Sequence, residues 1–380
     1  MSVRCRGKTA GREAVSKFAI PGCPVSSSLK TDDPFAPPPA TTPYFSEDLA
    51  AWVLSRHQDV LAAMRAAELV PGQGLPDAQT RADAINALLS LKIQDLRSEI
   101  EEMTRALLKK LAANRSVDLV AEFLHPWSLE LVFTALKSGT PQRRRIESIG
   151  RYFAGGPADG RKEFLKSGSK MARILHYPER AWLAIRQRVS QLRLQRLCRE
   201  LQLPGFRSVF LGVTQTLPSF LANAWLDLLL HPLELQRLRE NPELIGNAID
   251  ELLRHAGLVH MLERRAANGV ELCGIEIAQG QQVFLKVSSA NRDPIEFANA
   301  NCLDFTSRQA RNLALGAGHH VCVGASFVRL AAAIATNELL RRFPSLHLGE
   351  SSITWRRGAV QYSPTAIMVR LGPEISQPSR

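Results

Sequence analysis

The sequence lacks the features of a secreted or membrane-anchored protein. No apolar run looks long enough to cross a bilayer, and the basic N-terminus has no apolar signal core or cleavage site. The six cysteines are scattered, without the paired spacing of a metal site or a disulfide framework. We therefore expect a cytoplasmic protein with reduced thiols and no membrane association.

Motifs for nucleic-acid binding are also missing. With 48 basic and 36 acidic residues, the chain has a net charge of +12, which suits an acidic partner. Nucleic acid is the generic candidate, but no zinc finger, recognition motif or basic run interleaved with aromatic residues is present. We expect no nucleic-acid binding and, instead, a basic face that docks an acidic protein.

Internal repeats and long linkers are absent as well. The 380 residues, 45% of them hydrophobic, could form one large domain or two average ones. Without a linker we predict a single domain over residues 45–380, preceded by a mobile leader, residues 1–44, rich in Pro, Ser, Thr and basic residues. Helical spacing predominates, and residues 355–358 and 366–371 are expected to form a closing hairpin.

The most informative stretch runs from Leu315 to Gly324. Gly316 and Gly318 allow a tight loop in which larger side chains would clash. The loop delivers Cys322 to the start of an apolar helix, where free amide groups and the positive helix end stabilise a thiolate. Such a thiolate could be a nucleophile or a metal ligand, although a lone cysteine is more often a small buried residue.

Three other interpretations of this loop fit less well. Gly316 begins what resembles a dinucleotide loop, but Val321 occupies the place of the third glycine. His319, His320 and Cys322 could bind zinc, but a fourth ligand at a sensible spacing is missing. No serine in a nucleophile elbow is evident.

The spacing Gly-x-Gly-x-His-x-Cys-x-Gly resembles the cysteine-ligand loop of the cytochrome P450 (haem-thiolate) family, in its bacterial soluble type. The resemblance implies that Cys322 is the metal ligand, binding the iron of haem b (iron protoporphyrin IX). It also implies that His320 contacts a haem propionate. The cofactor-binding loop would be shaped by Gly316, Gly318 and Gly324, the last of which leaves room for a flat group.

Other propionate contacts follow from the same resemblance, with departures. In the family a strand arginine grips a propionate, and Arg264 takes that position, with Arg265 as the near alternative. Alternatively, Arg264 and Arg265 belong to a solvated basic edge strand and do not contact a propionate. The family's N-terminal histidine and arginine fall on Gln79 and Asp83, and its shielding phenylalanine on Leu315.

Residues 209–231 resemble the long helix that crosses the haem face in this family. Its oxygen-activating motif falls on Gly212–Thr216, so that Thr216 and Gln215 are the implied catalytic residues. Gln215 replaces an acid, and an amide orients water without titrating. Pro218 should open the helix nearby. Alternatively, Gln215 and Thr216 are ordinary polar residues at a helix kink, without a catalytic role.

A buried ionic network is implied by Glu251, Arg254 and Arg308, which match the family in type and order. Its role would be to fix the loop that presents Cys322, and it must be fully paired to be stable. By itself, a Glu and an Arg three residues apart is a common surface pair.

The resemblance implies a mainly α (α+β) triangular haem-thiolate fold with a small β-rich region. The implied activity is monooxygenation of a small organic substrate, such as a secondary metabolite, with dioxygen. Electrons would come from a separate acidic redox partner of ferredoxin or flavodoxin type, docking near Arg311, Arg329 and Arg341–Arg342.

Two alternatives stay open. Because Gln215 cannot donate an ionisable proton, the enzyme could be a peroxygenase or a non-oxidative rearrangement or dehydration catalyst. It could also be a non-catalytic relative that binds a partner or a carrier-bound substrate.

Overall fold

The computed structural model describes most of the chain from residue 43 onward. The described residues are 43–72, 78–90, 92–136, 143–144, 146–147, 192–197, 199–200, 205–257, 259–306, 311–350, 353–357 and 362–372. The predicted leader therefore lies outside them except for its last two residues, and Tyr44 already belongs to the first strand. Arg308 also lies outside them.

Helices make up most of the described chain, as the sequence spacing predicted. They are α1 (His57–Arg65), α2 (Ala78–Ser90), α3 (Arg97–Leu111), α4 (His125–Leu136), α5 (Phe206–Leu211), α6 (Leu217–Leu230), α7 (Pro232–Glu240), α8 (Ile245–Ala256), α9 (Val287–Ala290) and α10 (Ala325–Arg342). Two wider π-helical turns, Leu119–Leu124 and Gly212–Thr216, lead directly into α4 and α6.

The strands are short. They are β1 (Tyr44–Ser46), β2 (Ala51–Leu54), β3 (Leu69–Pro71), β4 (Ser116–Asp118), β5 (Leu262–Ala266), β6 (Val270–Leu272), β7 (Ile275–Ile277), β8 (Gln282–Leu285), β9 (His347–Leu348), β10 (Thr354–Arg357), β11 (Tyr362–Ala366) and β12 (Met368–Arg370). The largest sheet has the order β1-β2-β8-β5-β3, in which only β2 and β8 run parallel. β12 lies between β4 and β9, while β10–β11 and β6–β7 form two-stranded ribbons.

The predicted closing hairpin was wrong in its pairing. β10 pairs with β11, placing Trp355 opposite Pro364, whereas β12 pairs with β4 and β9. The Asp118 carboxylate accepts a hydrogen bond from the Ile367 amide at 3.1 Å, which ties the chain between β11 and β12 to β4. Val117 and Asp118 belong to this sheet through their pairing with β12.

The helix that carries most of the core is α6. All of its residues except Asp227 and Leu230 are buried. This is expected for a helix that is apolar on all sides. Phe220 and Trp225 are fully buried in the same cluster as Trp127 of α4 and Phe305. α6 also packs against α8 and α10, so the two helices that flank the cysteine loop and the ionic network share one core.

One stretch within the described residues, Leu119–Leu136, does have the length and apolarity of a helix that could cross a membrane. Its mean hydropathy is 1.2, and half of it is buried inside the protein. Phe123 and Trp127 are fully buried, and the Trp127 indole donates to the Thr104 hydroxyl at 2.8 Å. The stretch therefore contributes its aromatic side chains to the core.

Candidate functional site

The loop before Cys322 depends on two glycines with left-handed backbone. Gly316 has φ +77° and Gly318 has φ +65°. A Cβ on Gly316 would lie 3.1 Å from the His320 carbonyl oxygen, and one on Gly318 would lie 2.8 Å from the Met64 carbonyl oxygen. The loop therefore folds back on itself and packs against the C-terminal end of α1, as the glycine spacing predicted.

Backbone hydrogen bonds fix the position of Cys322 at the start of α10. Its amide donates to the Leu315 carbonyl at 2.7 Å, and its own carbonyl accepts from the Ala325 amide at 3.2 Å. A Cβ on Gly324 would be 4.0 Å from the Cys322 Sγ. The glycine thus leaves the space beside the sulfur open.

The electrostatics of the sulfur differ from the expectation. Burial raises the pKa of the Cys322 thiol, and the Gly324 amide, with Arg81 and Arg329 nearby, offsets only part of that rise. Burial therefore outweighs the stabilisation expected from the helix start. A thiolate at this position therefore needs a cation beside it. A bound metal ion would provide that cation.

Arg264 is a buried cation without an acidic partner among the described residues. It is 3% exposed on β5, whereas the adjacent Arg265 is exposed. Its Nη1 donates to the Glu263 carbonyl at 2.9 Å, and its Nε has no hydrogen-bond partner. Because a buried, unpaired guanidinium is costly, an anionic group is expected beside it.

His320 lies in the same neighbourhood. Burial lowers the pKa of its imidazole, and the positive charges of Arg264 and Arg81 lower it further. The charge of Arg81 therefore lowers the pKa of both His320 and Cys322. Positive charge from Arg81 thus lies near the sulfur, and positive charge from Arg264 lies near His320.

Arg81 is a site residue that the sequence analysis missed. The family pattern directed attention to Gln79 and Asp83, two residues on either side of it. In the structure the Gln79 amide donates to the Asp83 carboxylate at 2.9 Å on an exposed face of α2. Gln79 and Asp83 thus hydrogen-bond to each other, and Arg81, which lies between them in the sequence, is the positively charged residue of this turn.

These residues fit a haem. It needs one thiolate ligand, for which Cys322 is available, and cations for its two carboxylates, for which Arg264 has an unused Nε. Among the described residues, no group of three or more His, Cys, Asp or Glu side chains is arranged to hold a metal ion. A single cysteine with basic neighbours suits an iron that already carries its own macrocycle.

Gln215 and Thr216 lie at the end of the π-helical turn that precedes α6. Both side chains are half-buried, and the Gln215 amide donates to the Thr214 carbonyl at 3.0 Å. No hydrogen bond or ion pair within the described part of the chain links either side chain to the cysteine loop. The predicted opening of the helix near Pro218 is present as this widened turn.

Glu251 and Arg254 form a buried pair. They are 0% and 2% exposed, and the guanidinium binds both carboxylate oxygens at 2.7 Å. Arg254 also donates to three backbone carbonyls, those of Asn291, Ala300 and Cys302 at 2.8, 2.8 and 3.0 Å. The pair is therefore fully engaged, unlike a surface pair.

The network extends from this pair toward the cysteine loop. The Asn291 side-chain oxygen accepts from the Leu313 amide at 2.7 Å, and the Asn312 amide donates to the Asp250 carbonyl at 3.3 Å. Leu313 stands two residues before Leu315, whose carbonyl holds the amide of Cys322. A continuous set of hydrogen bonds thus connects α8 to the loop.

Three of the four arginines predicted as a basic docking face are paired with carboxylates of the protein itself. The pairs are Arg311 with Glu296 at 2.7 Å, Arg329 with Asp250 at 2.6 Å and Arg341 with Glu338 at 3.3 Å. This face is less positive than the sequence alone suggests.

Comparisons with known proteins agree with this geometry. The family model for "Cytochrome P450" matches residues 236–354. Cytochrome P450 CYP107DY1 of Priestia megaterium is 31% identical over 297 residues, covering 73% of this chain and 70% of that protein. The "Biotin biosynthesis cytochrome P450" of Bacillus subtilis is 45% identical, over 142 residues that make up 37% of this chain and 35% of that relative.

A solved structure has the same fold. The crystal structure of P450BioI in complex with an acyl carrier protein ligated to hexadec-9Z-enoic acid superposes with a TM-score of 0.67 at 24% identity. The match covers 84% of this chain and 92% of that one.

Proposed function

The chain belongs to the cytochrome P450 family, and on that premise we propose that it inserts one oxygen atom of dioxygen into a small organic substrate. The predicted family and fold class, mainly helical with a small β-rich region, are confirmed. The chain is accordingly a monooxygenase-type oxidoreductase with a haem cofactor.

The observation that carries the proposal is Cys322, held at the start of α10 beside a cluster of basic side chains. Haem bound through that sulfur would supply the activation of dioxygen. Arg264 and His320 would hold its propionates, with Arg81 close enough to contribute charge. Gly316, Gly318 and Gly324 would keep the loop clear of the macrocycle.

Thr216 and Gln215 would line the region where dioxygen and substrate react. The Thr216 hydroxyl would hold water next to the reacting oxygen and pass on a proton, because a hydroxyl both donates and accepts. Gln215 has no titratable proton, so its contribution is orientation. Substrate binding would exclude bulk water from this region.

The proposal is tested with isotopically labelled dioxygen. The purified, haem-loaded protein is supplied with a reduced redox protein and a library of small organic compounds, and products are analysed by mass spectrometry. The proposed function predicts one labelled oxygen atom per product molecule. Products that carry oxygen from water only would contradict it.

Gln215 favours a second candidate, a peroxide-driven oxygenase or a non-oxidative rearrangement catalyst. Without an acid at this position the protons needed to split dioxygen must come from elsewhere. Parallel reactions with peroxide alone and with reduced partner plus dioxygen separate the candidates. Turnover with peroxide alone would favour this second function.

The partners are also part of the proposal. The net charge of +12 favours an acidic redox protein of ferredoxin or flavodoxin type, and we propose that both proteins act in the cytoplasm. The 45% identity with the biotin-biosynthesis relative, and the carrier-bound fatty acid named for P450BioI, favour an acyl chain as one substrate class to include.

A further inference from the structure

Pro218 and Gln215 are connected through a single carbonyl. In an α-helix the amide of residue 218 would donate to the carbonyl of Thr214, four residues earlier. Pro218 has no amide hydrogen, so this bond cannot form. The Gln215 side chain donates to that same Thr214 oxygen at 3.0 Å. Because a carbonyl only accepts, the donor must be the NH₂ group, which a glutamate does not have.

The surroundings explain why the donor matters. The Thr214 side chain is 2% exposed, and its hydroxyl donates to the Phe210 carbonyl at 2.8 Å. The turn is widened here, since the Leu217 amide donates to the Gly212 carbonyl, five residues earlier. A buried carbonyl without its helical donor is costly.

We propose that Gln215 is a positioning residue that supplies the hydrogen bond removed by Pro218. Its amide stabilises the widened turn and thereby sets the position of the Thr216 hydroxyl. It does not deliver protons. The part of this inference that concerns Thr216 rests on the proposed function, whereas the coupling between Gln215 and Pro218 does not.

An acid at position 215, the residue type usual in the family, would place a carboxylate oxygen against the Thr214 carbonyl. That contact is repulsive, and with Pro218 present no amide at position 218 can replace the lost donor. Restoring the acid should therefore require removing the proline as well.

The test is a double-mutant cycle on the haem-loaded protein with Gln215→Glu, Pro218→Ala and the double variant. Gln215→Glu alone should lower the Tm by about 2–4 °C. In the Pro218→Ala background the loss should shrink to less than half, because the new amide at 218 can donate to Thr214. Gln215→Met, similar in length but without donor or charge, should show the same dependence on the background.

Gln279 offers a matched control. Its amide also donates to a backbone carbonyl, that of Ala267 at 2.9 Å, but on an exposed surface. Gln279→Glu should change the Tm by the same small amount with and without Pro218.

A spectroscopic readout reports the position of Thr216. The CO stretching band of the reduced CO complex responds to polar groups near the bound gas. Gln215→Glu should shift or broaden this band, and the Pro218→Ala background should restore it. Equal losses of Tm in both backgrounds, or an unchanged Tm in Gln215→Glu, would overturn the inference. A protein that binds no haem would instead contradict the proposed function and leave the Tm coupling measurable.

Discussion

At the scale of single residues, neighbouring arginines on β5 have different environments. Arg264 and Arg265 are equivalent in charge, but the alternation of side chains along the strand buries the first and exposes the second. The sequence favoured Arg264 through the family pattern, and the burial is consistent with that choice. Arg81 could not be predicted in this way, because its proximity to Cys322 depends on how α2 packs.

Arg264 and Arg265 give the first prediction. Arg264→Ala should weaken haem retention by about tenfold or more, since a charge-assisted hydrogen bond to a carboxylate is lost. Arg265→Ala, the matched control one residue away, should retain haem normally. The measurement is the rate of haem transfer to an apoprotein acceptor. Equal rates in the two variants would remove Arg264 from the cofactor site.

Two buried histidines give a prediction about pH. Burial lowers the pKa of His255 and of His260 to about 4 from the ordinary value of 6.5. The unfolded chain then binds protons more readily than the folded one between these values. The free energy of unfolding should be at its full value above pH 6.5 and should fall as the pH decreases toward 4.

Thermal unfolding across this pH range checks the expectation. His260→Gln should remove part of the slope. A His260→Gln protein with the slope of the unsubstituted protein would show that His260 is not the titrating group.

At the scale of elements, the helices followed from the sequence better than the strands did. The apolar run after Cys322 predicted α10, which ends at Arg342. The partner of β12 was predicted incorrectly because a strand of three residues is stabilised by its neighbours, and the contact between Asp118 and Ile367 joins residues 249 positions apart. The wider turn before α6 was predicted only as a distortion, from Pro218.

The buried pair on α8 gives a prediction at this scale. Arg254→Ala should lower the free energy of unfolding by about 3–5 kcal/mol, because Glu251 and three carbonyls lose their partner inside the protein. Arg237 and Glu234 on α7 have the same spacing and a 3.1 Å ion pair, but Arg237 is exposed. Arg237→Ala should cost less than about 1 kcal/mol.

Chemical denaturation of the two variants provides the measurement. The Arg254 variant should also lose haem faster, because its network reaches the cysteine loop through Asn291 and Leu313. Similar losses of stability for Arg254→Ala and Arg237→Ala would contradict the role assigned to burial.

At the scale of the whole molecule, composition gives the sign of the net charge but does not show which arginines are already paired with carboxylates. The net charge of +12 suggested a basic docking face near the cysteine loop. Arg311, Arg329 and Arg341 are each paired with a carboxylate instead. Charge counts do not show which side chains pair, and the partner of Arg329 lies 79 positions away in the sequence. The cysteine motif, in contrast, is local, and its loop geometry followed directly from its glycines.

The proposed function depends on a bond between the Cys322 sulfur and the haem iron, which the visible spectrum of the reduced, CO-treated protein reports. We expect the red-shifted absorption band of a thiolate-ligated haem in the unsubstituted protein and its loss in Cys322→Ser. A Cys322→Ser protein that keeps the same band, or an unsubstituted protein that binds no haem, would rule out Cys322 as the ligand.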